Sequence, residues 1–208
     1  MALDRLGQAP IGVITQTTGN GPLCSRHYDS LRRSLLHHTW WTFARSEISL
    51  ALLGNNQWQN WAYAYQYPVD CLRINYLMNP NLVASYIGYP YSPAMEEFYY
   101  KNCPHEVTQA LDANNNATGQ KVILTNMENA ILVYTKDVTD VALFPDPFAQ
   151  VLVLRLARAL CHKLLPNSSI LADIKQELVE VENMALGTSS NESVEHAAMK
   201  SDFERYRN

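Results

Sequence analysis

Charged residues are scarce in this chain: Asp, Glu, Lys and Arg make up 17% of its 208 residues. An ordinary soluble domain contains about 25% charged residues. The net charge is −4, whereas proteins that bind nucleic acid usually carry a strong excess of positive charge. The composition therefore argues against nucleic-acid recognition. A surface that is poor in charge is typical of a protein that buries part of that surface against partners.

Cysteine is also sparse. The four cysteines, Cys24, Cys71, Cys103 and Cys161, are widely spaced and none belongs to a C-x-x-C pair. We therefore expect reduced thiols rather than a disulfide framework or a structural zinc site. No apolar run approaches the roughly 18 residues of a membrane span, and the first residues lack the basic-then-apolar pattern of a signal peptide. We expect a soluble protein that is made in a cytoplasm.

The common catalytic fingerprints are missing, including G-x-S-x-G, the phosphate-binding loop and the dinucleotide-binding glycine motif. The segment CPHE at 103–106 contains a thiol, an imidazole and a carboxylate. A catalytic cysteine needs a base held close in space, which neighbours in an irregular segment rarely provide. His37 and His38 would point about 100° apart on a helix and could not share a metal ion. We therefore predict no catalytic, cofactor or metal site.

Two alternatives remain open from residue types alone. The acid pairs Glu96 with Glu97 and Asp137 with Asp140 are compatible with a peptidoglycan or polysaccharide hydrolase, whose two carboxylates face each other about 5 to 9.5 Å apart. A module that stacks single-stranded bases is compatible with a set of eight aromatic residues: Trp40, Trp41, Phe43, Trp58, Trp61, Tyr63, Tyr65 and Tyr67. No basic residue lies between Arg45 and Arg73, so we favour a core and a subunit interface for these aromatic side chains.

Periodicity predicts three long helices. Apolar residues recur at three- and four-residue spacing from Pro22 to Trp40, which indicates an amphipathic helix. The segment 148–165 is apolar almost all round and follows Asp146, a predicted N-cap. One narrow polar stripe interrupts this second helix and is formed by Arg155, Arg158 and His162. The last helix follows Ser168 or Ser169 and should end at Gly187.

Strand signals are fewer. The runs 121–125 and 130–136 flank a short turn and predict an antiparallel hairpin. Alternation also suggests that 45–53 pairs with 62–67, while 78–120 is rich in Pro, Asn and Gly and is interpreted as irregular. We therefore predict a mainly α fold with a smaller β part (α+β), a helical bundle with one antiparallel β-hairpin element. One folded domain would span 1–187 and a flexible, extended C-terminal tail 188–208.

Several short motifs occur together in a recognisable order. They are WTFA at 41–44, YPVDCLR at 67–73 and YTKDVTDVALFPDPF at 134–148. With ALDRLGQAPI near the start and the long last helix, the set resembles the tail tubular protein A family. These are the head-to-tail adaptor (connector) proteins of short-tailed bacteriophages. The resemblance covers roughly residues 2–187, and Pro145 departs from the family pattern. The signature positions are Trp40, Trp41, Phe43, Asp70, Tyr134, Asp137 and Phe148.

The resemblance implies a structural virion protein rather than an enzyme. Family members form a twelve-fold ring that joins the portal protein to the tail nozzle protein. Genomic DNA passes through the ring without sequence-specific binding. The implied location is the head-to-tail interface of the virion after assembly in the host cytoplasm, with no membrane partner. The tail is expected to dock onto the portal, with Phe203 and Tyr206 as aromatic anchors and Arg205 and Arg207 as charge partners.

Overall fold

The computed structural model describes residues 1–54, 58–78, 103–112, 114, 116–165 and 169–192. Only the backbone is described for residues 190–192. The described chain forms two compact units. The helical unit comprises Met1–Ala44 and Asp137–Ser193, and the sheet unit comprises Arg45–Lys136. The sheet unit is therefore an insertion within the sequence of the helical unit. Its first and last strands pair in register, Arg45 with Thr135, which brings the two ends of the insertion side by side.

The helical unit contains helices α1 (Gly21–His38), α2 (Asp146–Leu164) and α3 (Ile170–Glu192). The first two helices agree with the predicted ones to within the uncertainty of helix ends. Each has a proline in its first turn, where the missing N–H has no helical partner to lose. The predicted capping role of Asp146 is wrong, because Asp146 is the first helical residue and Pro145 occupies the cap position.

Helix α3 does not end at Gly187, so that prediction is wrong. Glycine costs about 1 kcal/mol relative to alanine inside a helix, and contacts on either side of Gly187 offset this cost. The Thr188 hydroxyl donates to the Met184 carbonyl at 3.0 Å. The Ser189 carbonyl accepts a 2.8 Å hydrogen bond from the Thr42 hydroxyl. The helix therefore continues to Glu192.

The core of the helical unit forms around α2, which packs against both α1 and α3. The 3-10 turn Asp4–Leu6 also packs on α2 and ends at Gly7, whose backbone is left-handed. The buried core consists of Ala2, Leu3, Leu6, Cys24, Leu156, Ala157, Leu160, Cys161 and Ile174. Within the part of the chain that the structure describes, no helix is long and apolar enough to cross a lipid bilayer.

The described residues of the sheet unit form six strands in two antiparallel sheets. They are β1 (Arg45–Ser49), β2 (Tyr63–Gln66), β3 (Cys71–Met78), β4 (His105–Leu111), β5 (Ala117–Thr125) and β6 (Ile131–Lys136). One sheet has the order β1-β6-β3 and the other β2-β5-β4. The predicted helical bundle with a single hairpin is therefore wrong: the fold is α+β, with sheets that make up a whole compact unit.

The predicted hairpin fails for a physical reason. The runs 121–125 and 130–136 become β5 and β6, which are the central strands of different sheets. Residues 122–125 and 132–135 are all buried, so each strand needs cover on both faces and a neighbour on both edges. A two-stranded hairpin offers neither. The short turn between the runs therefore carries the chain from one sheet to the other.

The two sheets share one core. Tyr65 and Ile123 of one sheet are clustered with Leu77, Leu132 and Tyr134 of the other. The opposite face of β5 is covered separately, since Val122 and Leu124 pack with Trp58 and Trp61. Alternate residues of β5 therefore enter two different clusters, as the two-residue repeat of a strand requires.

Two other strand predictions need correction. The pairing of 45–53 with 62–67 is confirmed only at 51–53, where Leu53 N–H donates to the Ala64 carbonyl at 2.8 Å. The region 78–120 was interpreted as irregular, but β4 and the start of β5 lie in it. Strand β4 lies at a sheet edge and has few buried residues, so its alternation is too weak to predict a strand from sequence.

Trp41 and Trp40 provide a matched pair for testing the packing at the end of α1. Trp41 is 3% exposed and Trp40 48% exposed, and the Trp41 indole also donates to the Leu35 carbonyl at 3.0 Å. We expect Trp41→Ala to lower the free energy of unfolding by about 3–5 kcal/mol. Trp40→Ala should lower it by about 1 kcal/mol or less. Urea unfolding of both variants measures this, and equal losses would contradict the assignment.

Candidate functional site

The residues next to the insertion pack together within the helical unit. Phe43 lies just before the chain leaves the unit, and Phe144 and Phe148 follow its return. The Phe43 ring lies 6.0 Å from Phe144 and 5.0 Å from Phe148. Trp41 meets Phe148 edge-on at 5.0 Å. We call these four residues the aromatic cluster. It joins the first and third sequence motifs.

A buried arginine holds the returning chain. The Arg32 guanidinium on α1 donates to the Asp137 carboxylate at 2.5 Å and to the Val138 carbonyl at 2.6 Å. Arg33 approaches the other Asp137 oxygen at 3.4 Å from an exposed position. We call the bonds from Arg32 to Asp137 and Val138 the arginine clamp.

Arg32 carries a charge and yet is only 2% exposed. The sequence does contain a signal for its burial. Arg32 comes four residues before Leu36 and therefore shares a helix face with it, and Leu36 is fully buried. A charged residue on such a face needs a partner, which Asp137 supplies.

The remaining signature residues are engaged inside the sheet unit. The Tyr134 hydroxyl on β6 donates to the Asp70 carboxylate at 3.1 Å. Lys136 lies 3.5 Å from the second Asp70 oxygen. Burial raises the pKa of Tyr134, so its hydroxyl remains a proton donor at neutral pH. Asp70 thus ties the turn before β3 to the central strand β6.

The signature residues therefore do not converge on one pocket. Trp41, Phe43 and Phe148 form most of the aromatic cluster, Asp137 forms the arginine clamp, and Asp70 binds Tyr134. Trp40, in contrast, is half-exposed. Trp41, Phe43, Phe148 and Asp137 fix the backbone on both sides of the insertion, whereas Asp70 and Tyr134 stabilise the sheet unit itself.

An open groove runs along the helical unit between α1, α2 and α3. Its larger stretch has a volume of about 760 Å³ and the adjoining stretch about 350 Å³. Arg155 and Glu182 line both stretches and form an ion pair at 2.7 Å. We call the larger stretch the basic groove, since apolar side chains and three basic side chains besides Arg155 line it. Those three are Arg158, His162 and Lys175.

A short apolar turn projects from the same unit just before α2. Val141, Ala142 and Leu143 form a 3-10 turn whose residues are all exposed. The Asp140 carboxylate caps this turn by accepting from the Ala142 N–H at 2.9 Å. We call Asp140–Leu143, together with the exposed Asp146, the acidic knob.

The carboxylates considered for hydrolysis have other contacts where they are described. Glu96 and Glu97 lie outside the described residues. Asp137 belongs to the arginine clamp and Asp140 caps the 3-10 turn. Each of these two acids therefore stabilises the backbone next to it.

The imidazole and the carboxylate of the segment 103–106 contact other groups. Burial raises the pKa of the Cys103 thiol, which lowers the thiolate fraction. The Nδ1 atom of His105 lies 3.3 Å from the Cys103 carbonyl oxygen. Glu106 accepts a hydrogen bond from the Trp61 indole at 3.1 Å. The Glu106 carboxylate is thus hydrogen-bonded to the Trp61 indole, and the His105 imidazole contacts the Cys103 carbonyl.

The aromatic stretch forms part of the core. Tyr65 is buried and donates to the Met127 carbonyl at 2.8 Å, while Tyr63 and Tyr67 are half-buried. Two histidines of α1, His37 and His38, are exposed. Within the described ranges, no group of three or more His, Cys, Asp or Glu side chains is arranged to hold a metal ion.

The predicted portal-docking residues Phe203, Arg205, Tyr206 and Arg207 lie outside the described residues. No family model matches the chain, and no curated protein is significantly similar to it in sequence. The functional interpretation therefore depends on the contacts and surfaces of this chain itself.

The arginine clamp makes a testable contribution to stability. Arg32→Met removes the partner of a partly buried Asp137, and breaking such a pair from one side costs about 3–5 kcal/mol. Arg33 also approaches Asp137 but is exposed, so Arg33→Met should change the free energy of unfolding by about 1 kcal/mol or less. Guanidinium unfolding of the two variants measures the difference. Similar losses would show that the clamp is not the main contact.

The half-buried thiols should react slowly. Burial is the main cause that raises the pKa values of Cys71 and Cys103, so both remain protonated near neutral pH. We expect iodoacetamide to label them more slowly in the native protein than in the denatured chain, with rates that rise with pH. Peptide mass spectrometry measures each site. Labelling at the denatured rate near neutral pH would contradict the expectation.

Proposed function

We propose that this protein is a structural subunit of the head-to-tail adaptor in a short-tailed bacteriophage, of the tail tubular protein A type. One observation supports this proposal most. The motifs that carry the resemblance contain the residues that fix the chain where it leaves and rejoins the helical unit, through the aromatic cluster and Asp137. These motif residues stabilise the architecture of the chain, which is the role expected of such residues in a structural protein.

The surface of the helical unit also suits a protein that works by association. Exposed apolar side chains occur on the acidic knob and along α3, including Val141, Leu143 and Val179. Exposed apolar residues near polar rims are typical of surfaces that bind other proteins. With only 17% charged residues in the chain, solvation of a large free surface is less favourable than its burial in an assembly.

The proposed partners follow from this role. Copies of the chain form a twelve-fold ring, with the portal protein on one face and the tail nozzle protein on the other. Genomic DNA passes through the ring, and a net charge of −4 limits attraction to its phosphates. We propose the head-to-tail interface of the virion as its location. A hydrolase is not proposed, since Asp137 and Asp140 both serve local structure.

Binding to the portal tests the proposal. We expect the purified chain and the portal protein of the same phage to form a complex whose mass, measured by native mass spectrometry, contains a ring of copies. Deleting 193–208 should weaken that complex by about tenfold or more, since aromatic and arginine anchors often dominate an interface. This deletion spares the Thr42–Ser189 contact of α3.

Two matched variants make the test specific. Phe203→Ala with Tyr206→Ala should reproduce the effect of the deletion, whereas Asn208→Ala should not. Absence of a complex with the intact chain would refute the adaptor role. Full binding by the deletion variant would refute only the docking role of the tail.

A further inference from the structure

The basic groove has the chemistry of a docking site for an acidic, apolar segment. Leu31, Ala159, Leu178 and Val179 supply apolar surface, and Val179 is 60% exposed. The positive charge of Arg155 is offset by Glu182 at 2.7 Å. An occupant therefore needs apolar side chains for the floor and negative charge for the rim.

The rim of this groove is positive overall. Its exposed members are Arg158, His162 and Lys175. None of them forms an ion pair with another residue in the part of the chain that the structure describes. Arg158 and Lys175 supply two cationic groups to the rim, and His162 adds an imidazole that can donate a hydrogen bond.

The acidic knob of the same chain has the complementary chemistry. Val141 is 64% exposed and Leu143 is 60% exposed. Asp140 and Asp146 flank them, are exposed, and form no ion pair with any described residue. Asp140 uses one oxygen to cap the turn, and a carboxylate has room for further hydrogen bonds.

The knob is also held in a fixed shape. Phe144 follows it directly and packs in the aromatic cluster, 4.8 Å from Phe148. The Asp140 cap holds the other end of the turn. A surface that is rigid before binding loses less conformational entropy when it docks. Two apolar side chains are thus presented to solvent on a turn that is anchored at both ends.

The knob of one copy cannot fill the basic groove of the same copy. Asp146 begins α2 and Arg158 lies twelve positions further along the same helix, which is a separation of about 18 Å at the rise of an α-helix. The exposure of Val141 and Leu143 agrees with this separation. The complementary surfaces can meet only between two copies.

We propose that the acidic knob of one copy docks into the basic groove of the next, so that copies of this chain join head to tail. This inference rests on the proposed function, because a ring needs a contact between two unlike surfaces of the same chain. Val141 and Leu143 cover the apolar floor beside Val179, and Asp140 and Asp146 pair with the cationic rim. An open chain of copies retains one free knob at one end and one free groove at the other until the ring closes.

The experiment uses one variant on each surface. Leu143→Asp removes an apolar contact from the knob, and Val179→Glu places negative charge in the groove. We expect each variant alone to assemble about tenfold less tightly or worse than the natural chain. A mixture of the two should form a 1:1 dimer and nothing larger, because it contains one intact knob and one intact groove. Val69→Asp is the control, since Val69 is 100% exposed in the sheet unit.

Native mass spectrometry, with and without the portal protein, measures assembly. The expected result is growth of the natural chain and the Val69→Asp control beyond dimers, and only dimers from the mixture. Three results would overturn the contact: a natural chain that stays monomeric in both conditions, one that stops at dimers, or single variants that assemble normally.

The same measurements separate this contact from the adaptor role. If the single variants still form full rings on the portal, the adaptor role stands and the knob–groove contact is refuted. If the natural chain forms knob-dependent rings that do not bind the portal, the contact stands and the adaptor role is refuted. Occupation of the groove by a portal segment would appear as portal binding that Val179→Glu abolishes and Leu143→Asp leaves intact.

Discussion

The structure depends on one buried ion pair, between Arg32 of α1 and Asp137 at the point where the chain returns from the sheet unit. A guanidinium that is 2% exposed must be satisfied on several sides, and Asp137 and the Val138 carbonyl both accept from it. Because Arg32 lies in a helix packed on α2, the direction of the returning chain is set by the core of the helical unit.

The aromatic cluster acts on the same part of the chain from the other side of the insertion. Phe43, just before the chain leaves the helical unit, contacts Phe144 and Phe148, which lie after its return. The cluster also supports the acidic knob, since Phe144 is the residue that follows the exposed turn. The same aromatic contacts therefore join the two segments that flank the insertion and support the acidic knob.

Local sequence patterns predicted the long helices, because their apolar residues recur at a regular spacing over many positions. Apolar residues at three- and four-residue spacing predicted α1, and an almost continuous apolar run predicted α2. The spacing of Arg155, Arg158 and His162 also predicted that they form one polar stripe on α2. The end of α3 was not, because Gly187 favours a stop locally, whereas contacts of Ser189 with Thr42, far away in sequence, extend the helix.

Strand pairing could not be predicted in the same way. The runs that form β5 and β6 are adjacent in sequence and look like a hairpin, but they do not pair with each other. Strand β6 pairs with the distant strands β1 and β3, and β5 pairs with the distant β2 and with β4, which precedes it directly. Arg32 shows the same limit for a single residue. The helical pattern alone did not predict that Arg32 is buried, and only the folded chain shows that Asp137, 105 positions away, satisfies it.

The sequence by itself determined which segments are helical, which runs are apolar enough to be buried, and which motifs resemble an adaptor family, because these properties depend on neighbouring residues. The tertiary structure decided which strands share a sheet, which charges are paired, and that an acidic apolar turn and a basic apolar groove remain exposed on one unit. These properties depend on contacts between residues far apart in the chain, and burial determines whether a given charge or apolar side chain is satisfied internally or left for another molecule.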